Sequence, residues 1–164
     1  MNVQGLNDKH FPVLKSAHLR LDEIRLEHLN EFQSIAYFEG EPISSREKVV
    51  DLIEKIRNDF VTNNGITWGL YLEKQLIGSC GFYRGFNHQI GEIGYVLNEQ
   101  FRSKGFMKEA CEKVIEYGFE QLNLKAVCAY TKDSNLPSIK LLIGLGFSKK
   151  KEFVNDYRKY CLMA

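Results

Sequence analysis

Between Arg102 and Met107 the chain reads Arg-Ser-Lys-Gly-Phe-Met and runs straight into a long apolar-striped segment. A glycine-containing turn that enters a helix leaves several backbone N–H groups unpaired at the positive end of the helix dipole, an arrangement suited to phosphate or pyrophosphate. Gly105 lets the backbone approach such a ligand closely, and Arg102, Lys104 and Lys108 add positive charge nearby. Basic residues beside a helix start are also common on solvated faces, so the turn alone does not identify a ligand. Glu92 is the second residue with chemical promise. It stands between Ile90 and Gly94 on one face of an alternating strand, where an unpaired carboxylate is costly unless wet or hydrogen-bonded. It is a candidate general base acting through water, against the alternative of an ion pair with a structural Arg or Lys. His88 in the preceding loop is a further substrate-side candidate, or a solvated loop histidine. Tyr83, Arg84 and Trp68 are candidates for a cleft wall, and equally for core or surface positions.

Other phosphate-binding patterns fit less well. No Gly-Lys is followed by Ser or Thr, as a Walker loop requires. Gly78, Gly81 and Gly85 have the wrong spacing for a dinucleotide fingerprint. Lys104-Gly105-Phe106 matches the first three positions of an RNA-recognition motif, but Met107, Lys108 and Glu109 break it where a small residue and then apolar strand residues belong. An RNA-binding module is the alternative from another class.

The elements that must position these residues follow from periodicity. His18–Asp22 reads as a first strand, and a helical stretch from about Arg25 to Tyr37 is expected to close at Glu41-Pro42. A second helix starts near Ser44 or Ser45 and carries Val49, Val50, Ile53, Ile56 and Phe60 at helical spacing. From Ile66 the period becomes two, which predicts a strand, a hairpin through Glu73-Lys74-Gln75 into Leu76–Tyr83, and a third strand over Ile90–Leu97. The stripe Met107, Ala110, Cys111, Val114, Ile115, Gly118, Phe119 and Leu122 predicts a long helix, followed by a strand over Ala126–Thr131. Strand, helix, strand in that order favours a right-handed crossover with the two strands parallel. A last helix at about Leu136–Leu142 ends at Gly144-Leu145-Gly146, and Phe147–Val154 with Tyr157–Leu162 reads as a closing hairpin. The result is a mixed α/β architecture with helices on both faces of the sheet.

The 164 residues suit one domain spanning 1–164, with residues 1–12 frayed. A net charge of +1 provides no global field for wrapping nucleic acid or coating an anionic membrane, so an anion must be met locally. Cys80, Cys111, Cys128 and Cys161 lie far apart without metal or redox spacing and are expected to be free thiols; no metal site is expected. The first 13 residues lack the pattern of a signal peptide and no 18-residue apolar window occurs, so a cytoplasmic location is expected.

Downstream of the turn comes Asn135-Leu136-Pro137-Ser138-Ile139-Lys140-Leu141-Leu142-Ile143-Gly144-Leu145-Gly146-Phe147. With the Arg102–Met107 turn it resembles the GNAT superfamily of acetyltransferases, whose loop reads Gln or Arg, two residues, Gly, one residue, Gly or Ala. The superfamily's later helix reads Asn, two residues, Ser or Ala, and ends in Gly-Phe. Gly91-Glu92-Ile93-Gly94-Tyr95-Val96-Leu97 is similar to the branch containing the ribosomal-protein alanine N-acetyltransferases. The resemblance covers about His18 to Leu162. It implies a mostly antiparallel sheet of six to seven strands with one splayed parallel pair, and acetyl-CoA as cosubstrate. The backbone of Arg102, Ser103, Lys104, Gly105, Phe106 and Met107 would hold the CoA pyrophosphate. Tyr95, Val96 and Leu97 would offer strand backbone to pantetheine, and Asn135 and Ser138 would lie beside the pantetheine arm and thioester. The alternatives for that last pair are a helix cap and an ordinary first-turn residue. The acceptor implied is an amine, such as a peptide or ribosomal-protein N-terminus, with no nucleic acid or membrane involved and the protein a monomer or homodimer. Met107 departs from the pattern, where a small residue is usual. So does Leu142, where many members carry a tyrosine thought to protonate the departing thiolate; Ser138, water or no acid at all then serves. An acyl-CoA-binding regulator without catalysis is a further alternative.

Overall fold

The computed structural model describes residues 10–38 and 40–164. Eight strands form one sheet in the order β1 (Leu14–Lys15), β2 (Leu19–Asp22), β5 (Ile66–Leu72), β6 (Gln75–Phe82), β7 (Ile90–Leu97), β8 (Ala126–Lys132), β10 (Tyr157–Met163), β9 (Ser148–Val154). Every neighbouring pair is antiparallel except β7 and β8. The seven strands expected from alternation are joined by the two-residue β1, too short to show a period. Residues 1–9 of the expected frayed tail lie outside the described residues. Phe11 stacks 4.9 Å from the Phe60 ring, and Trp68 Nε1 donates to the Pro12 carbonyl at 2.7 Å.

Alternation sorts the side chains to two faces. Trp68, Leu70, Ile77, Phe82, Ile93 and Leu97 enter the larger core, which is covered by α3 (Phe106–Glu120) and α4 (Leu136–Gly144). On the other face Tyr71 and Leu76 pack under α1 (Leu29–Gln33) and α2 (Arg46–Val61), through Leu29, Phe32, Val49, Ile53 and Ile56. The apolar stripe of α3 reaches this core as its period demands, with Ala110, Cys111 and Val114 wholly buried.

The first helix is shorter than its pattern suggests. A 3₁₀ turn over Leu26–His28 leads into the five residues of α1, and Tyr37–Phe38 (β3) then pairs with Glu41–Pro42 (β4) in a small hairpin. Gly40, at φ +84°, makes the reversal in the left-handed region open to glycine. By contrast, the α2 start is where capping chemistry puts it. Ser45 is the N-cap, its side chain accepting from the Lys48 amide. Ser45→Ala should cost about 1 kcal/mol of stability, read as a lower midpoint in chemical unfolding with an unchanged slope.

The expectation of four free thiols is corrected for two of them. Cys128 on β8 and Cys161 on β10 face each other in the antiparallel register and form a disulfide, with Cα atoms 4.2 Å apart. Thirty-three residues separate them in sequence, so only strand pairing reveals them as neighbours. Cys80 and Cys111 are free and buried, their sulfurs 3.9 Å apart between β6 and α3.

Candidate active site

The parallel pairing of β7 with β8 covers only Ile90↔Ala126, Gly91↔Val127 and Glu92↔Cys128. Beyond Glu92, β7 stays paired with β6 as far as Leu97↔Gly78, while β8 stays paired with β10 as far as Lys132↔Tyr157. The two strands therefore part company after Glu92. Beyond Glu92 the backbone groups of Tyr95 face the side that β8 has left and are open to an extended ligand, while Val96 stays paired with Ser79 of β6 and the Leu97 carbonyl accepts from Arg102.

At the end of β7, Asn98 caps a 3₁₀ turn over Glu99–Phe101, and the chain reverses through Ser103 (φ +62°) and Gly105 (φ +86°) into α3. The first intrahelical bond runs from the Glu109 amide to the Gly105 carbonyl at 3.1 Å, which leaves the amides of Phe106, Met107 and Lys108 without a helix acceptor. A Cβ built on Gly105 meets nothing within 4 Å, so the ground above the turn is open. The residues present thus fit a pyrophosphate.

Side chains around the turn mostly hold it in place. Arg102 Nε donates to the Leu97 carbonyl at 3.1 Å and its guanidinium lies 3.6 Å from Glu99. The Lys104 ammonium sits over the Phe101 ring, and Lys108 is 3.9 Å from Glu112. Phe106 and Met107 direct their side chains into the larger core, so the bulk of Met107 does not occupy the turn. Glu109 anchors the helix start to the β1–β2 connection, accepting from His18 Nδ1 at 2.7 Å and Ser16 Oγ at 2.8 Å. Burial raises its carboxyl, but the hydrogen bonds from His18 and Ser16 outweigh it and hold the group below the usual range.

Glu92 is half-buried, with 28% of its side chain exposed, and its pKa is raised by burial; the nearby Arg84 guanidinium, 3.6 Å away, opposes that rise. Arg84 is itself two-thirds exposed, a poor anchor for a structural pair. On the same face of β7, Gly94 lies beneath the Tyr83 ring: a Cβ there would come within 2.3 Å of Tyr83 Cε2. Burial pushes the Tyr83 phenol far up, so it stays neutral. Trp68, considered for a cleft wall, is wholly buried and belongs to the core. His88 is exposed in the loop before β7, at φ +57°.

Asn135 caps α4, its Oδ1 accepting from the Ser138 amide at 3.3 Å. Ser138 meets Tyr95, their hydroxyl oxygens 2.7 Å apart. The sequence reading valued Tyr95 for its backbone alone; the partner of its hydroxyl, 43 residues away, carries no local signal. Leu142 is completely buried. A cavity of about 270 Å³ opens beside the end of β7 and is lined by Ser34, Ile35, Tyr37, Val96, Asn98 and Arg102. Val96 packs toward the α1–α2 core, which puts this opening on the same face as Glu92. A larger groove of about 540 Å³ between the β3–β4 hairpin and α2 shares no residue with the turn or the splay.

Residues 18–148 match the acetyltransferase (GNAT) domain family. The chain is 30% identical over 150 residues to the uncharacterized N-acetyltransferase p20 of Bacillus licheniformis, covering 89% of this chain and 83% of that protein. Among solved structures, RimL, a ribosomal L7/L12 α-N-protein acetyltransferase in complex with coenzyme A, superposes with a TM-score of 0.79 at 14% identity, over 93% of this chain and 98% of the other. The microcin C7 self-immunity acetyltransferase MccE, in complex with acetyl-CoA and AMP, superposes at 0.75 with 19% identity, over 91% and 94%. The splayed parallel pair, the amide-lined turn at its end and the family match over most of the chain agree: this protein belongs to the GNAT acetyltransferases.

Proposed function

We propose that the chain transfers the acetyl group of acetyl-CoA directly to a primary amine, and that the preferred amine is the α-amino group of a peptide or protein, a ribosomal protein among the candidates. The observation that carries this reading is the end of the β7–β8 ladder at Glu92, which sets a half-buried carboxylate at the apex of the open strand edge. In this reading pantetheine pairs with the free edge of β7 at Tyr95, and the amides following Gly105 take the pyrophosphate. Glu92 receives the ammonium proton through water, and Ser138 lies beside the departing sulfur. An α-amine has a pKa of about 7.7–8.0 against about 10.4 for lysine, so one carboxylate of raised pKa suffices as base for the former. The acetyltransferase named for ribosomal L7/L12 lends support to a protein N-terminus, while MccE, named for microcin C7 self-immunity, is described in complex with acetyl-CoA and AMP. We place this activity in the cytoplasm, in a domain spanning residues 1–164.

A screen of N-terminal peptides, lysine peptides, polyamines and aminoglycosides with acetyl-CoA tests the acceptor. The expected result is a kcat/KM at least about 10-fold higher on free α-amines than on lysine side chains at neutral pH. Activity on lysine alone overturns the acceptor assignment, and acetyl-CoA binding without turnover on any amine makes the chain a regulator.

A further inference from the structure

Glu92 and Tyr95 are three residues apart on β7 and face opposite sides of the sheet. Val96, which shares the Glu92 face, packs toward the α1–α2 core, whereas Tyr95 packs against the larger core beneath α3 and α4. The base and the Tyr95 phenol therefore flank the open strand edge from opposite sides. An amine arriving at Glu92 expels the thiolate toward Tyr95 and Ser138.

The helix beyond β8 offers the leaving group little. Leu142 brings only carbon, and Ser138, one turn earlier on the same helix face, is the hydroxyl available there. A free serine hydroxyl rotates and spends much of its time bonded to its own helix backbone. Here two contacts hold it. Asn135 takes the Ser138 amide, and a phenol reaches Ser138 Oγ from the other wall of the splay, at 2.7 Å. Of two hydroxyls in contact, the more acidic phenol is the better donor. Burial raises Tyr95 strongly; the Ser138 bond acts the other way, and the neighbouring thiols Cys111 and Cys80 add to the rise, so the phenol keeps its hydrogen throughout the physiological range.

We propose that Tyr95 is the positioning residue for the leaving thiolate: its hydroxyl donates to Ser138 Oγ and turns the Ser138 hydrogen toward the splay, where the CoA sulfur departs. This rests on the acetyltransferase reading above. The amine nitrogen bonds to the acetyl carbon, and its excess proton passes through water to Glu92. The carbon–sulfur bond then breaks, and the electron pair stays on sulfur, which accepts a hydrogen bond from Ser138 and takes a proton from solvent on release. Neither Tyr95 nor Ser138 ends the cycle deprotonated.

The test uses the full chain with Tyr95→Phe and Ser138→Ala, singly and together. Calorimetric titration with CoA and with desulfo-CoA at about pH 9, near the ordinary range of a thiol, isolates the sulfur and needs no acceptor. The parent should prefer CoA, and each single variant should lose about 10-fold or more of that preference while binding desulfo-CoA as before. In turnover, Tyr95→Phe should lower kcat about 10–100-fold with the KM for acetyl-CoA unchanged, and the double variant should be no slower than Ser138→Ala. With the acetyl-seleno analogue of acetyl-CoA, whose leaving group is the stronger acid, the defect should shrink to under about 3-fold. Equal losses on both esters, weakened desulfo-CoA binding or an intact sulfur preference in Tyr95→Phe each overturn the role of Tyr95. A parent that binds neither CoA nor desulfo-CoA overturns the acetyltransferase reading itself. Ser138→Ala must give the same pattern, and an intact sulfur preference in Ser138→Ala overturns the role of Tyr95 even if Tyr95→Phe does not fold.

Discussion

Gly105→Asp should abolish useful acetyl-CoA binding while leaving a folded protein. The substitution has room, since nothing lies within 4 Å of the new Cβ, and aspartate tolerates a left-handed backbone better than most residues. What changes is the field. A carboxylate placed about 5 Å from a pyrophosphate charge costs about 3 kcal/mol at an effective dielectric of about 20, or roughly a hundredfold in affinity, and it competes for the amides that open α3. Titration of the variant with acetyl-CoA, beside circular dichroism and thermal unfolding, measures both halves of the expectation. Parental affinity in a folded Gly105→Asp protein would falsify the placement of the pyrophosphate.

Glu92→Gln keeps the shape of the side chain and removes the base, so kcat should fall about 10²–10⁴-fold near neutral pH. Affinity for acetyl-CoA should scarcely change. In the parent, the rate should decline as pH falls through the raised pKa of Glu92, because the protonated acid accepts nothing. In the variant the defect should narrow as pH rises past the acceptor amine's own pKa, since an amine that arrives neutral needs no relay. The stability effect has the opposite sign to the rate effect. A carboxyl whose folded pKa is raised contributes stability that is complete below its unfolded pKa and is lost as pH rises through the folded one. At neutral pH the half-buried charge is therefore a burden, and Glu92→Gln should melt no lower than the parent there, its advantage fading in acid. A variant that turns over at the parental rate with saturating acceptor rules out the base. One that melts lower with a rate defect independent of pH assigns Glu92 to a structural pair with Arg84.

Long periodic segments were legible because burial repeats along them. Ile66, Trp68 and Leu70 alternate into one core, and the α3 stripe spans four turns, so a single period decides each. The Arg102–Met107 turn could be read from local chemistry, since glycine beside a helix start governs its own backbone. Short and distant relations were not legible. The β3–β4 hairpin has two residues per strand, too few for a period, and it replaced the expected end of the first helix. The Cys128–Cys161 pair, the Glu92–Arg84 contact and the Tyr95–Ser138 bond depend on register or side-chain direction, which no single segment encodes. Strand alternation singled out Glu92 and the family resemblance singled out Ser138, whereas what each one touches became visible only when the sheet was assembled.

The last rung of the parallel ladder joins Glu92 to Cys128, and Cys128 is bolted to Cys161 on its other side. The crotch of the fork is thus anchored on the β8 arm, and beyond Glu92 the β7 arm is held by β6 alone as far as Leu97. Unzipping one rung would widen the fork and carry the carboxylate away with it; closing one rung would bury it against β8. On the reading proposed above, a bulkier acyl chain that forced the arms apart at that rung would also move the carboxylate proposed to take the proton. Acyl-chain selectivity can in this way be set by backbone pairing, with no side chain assigned to measure the chain's length.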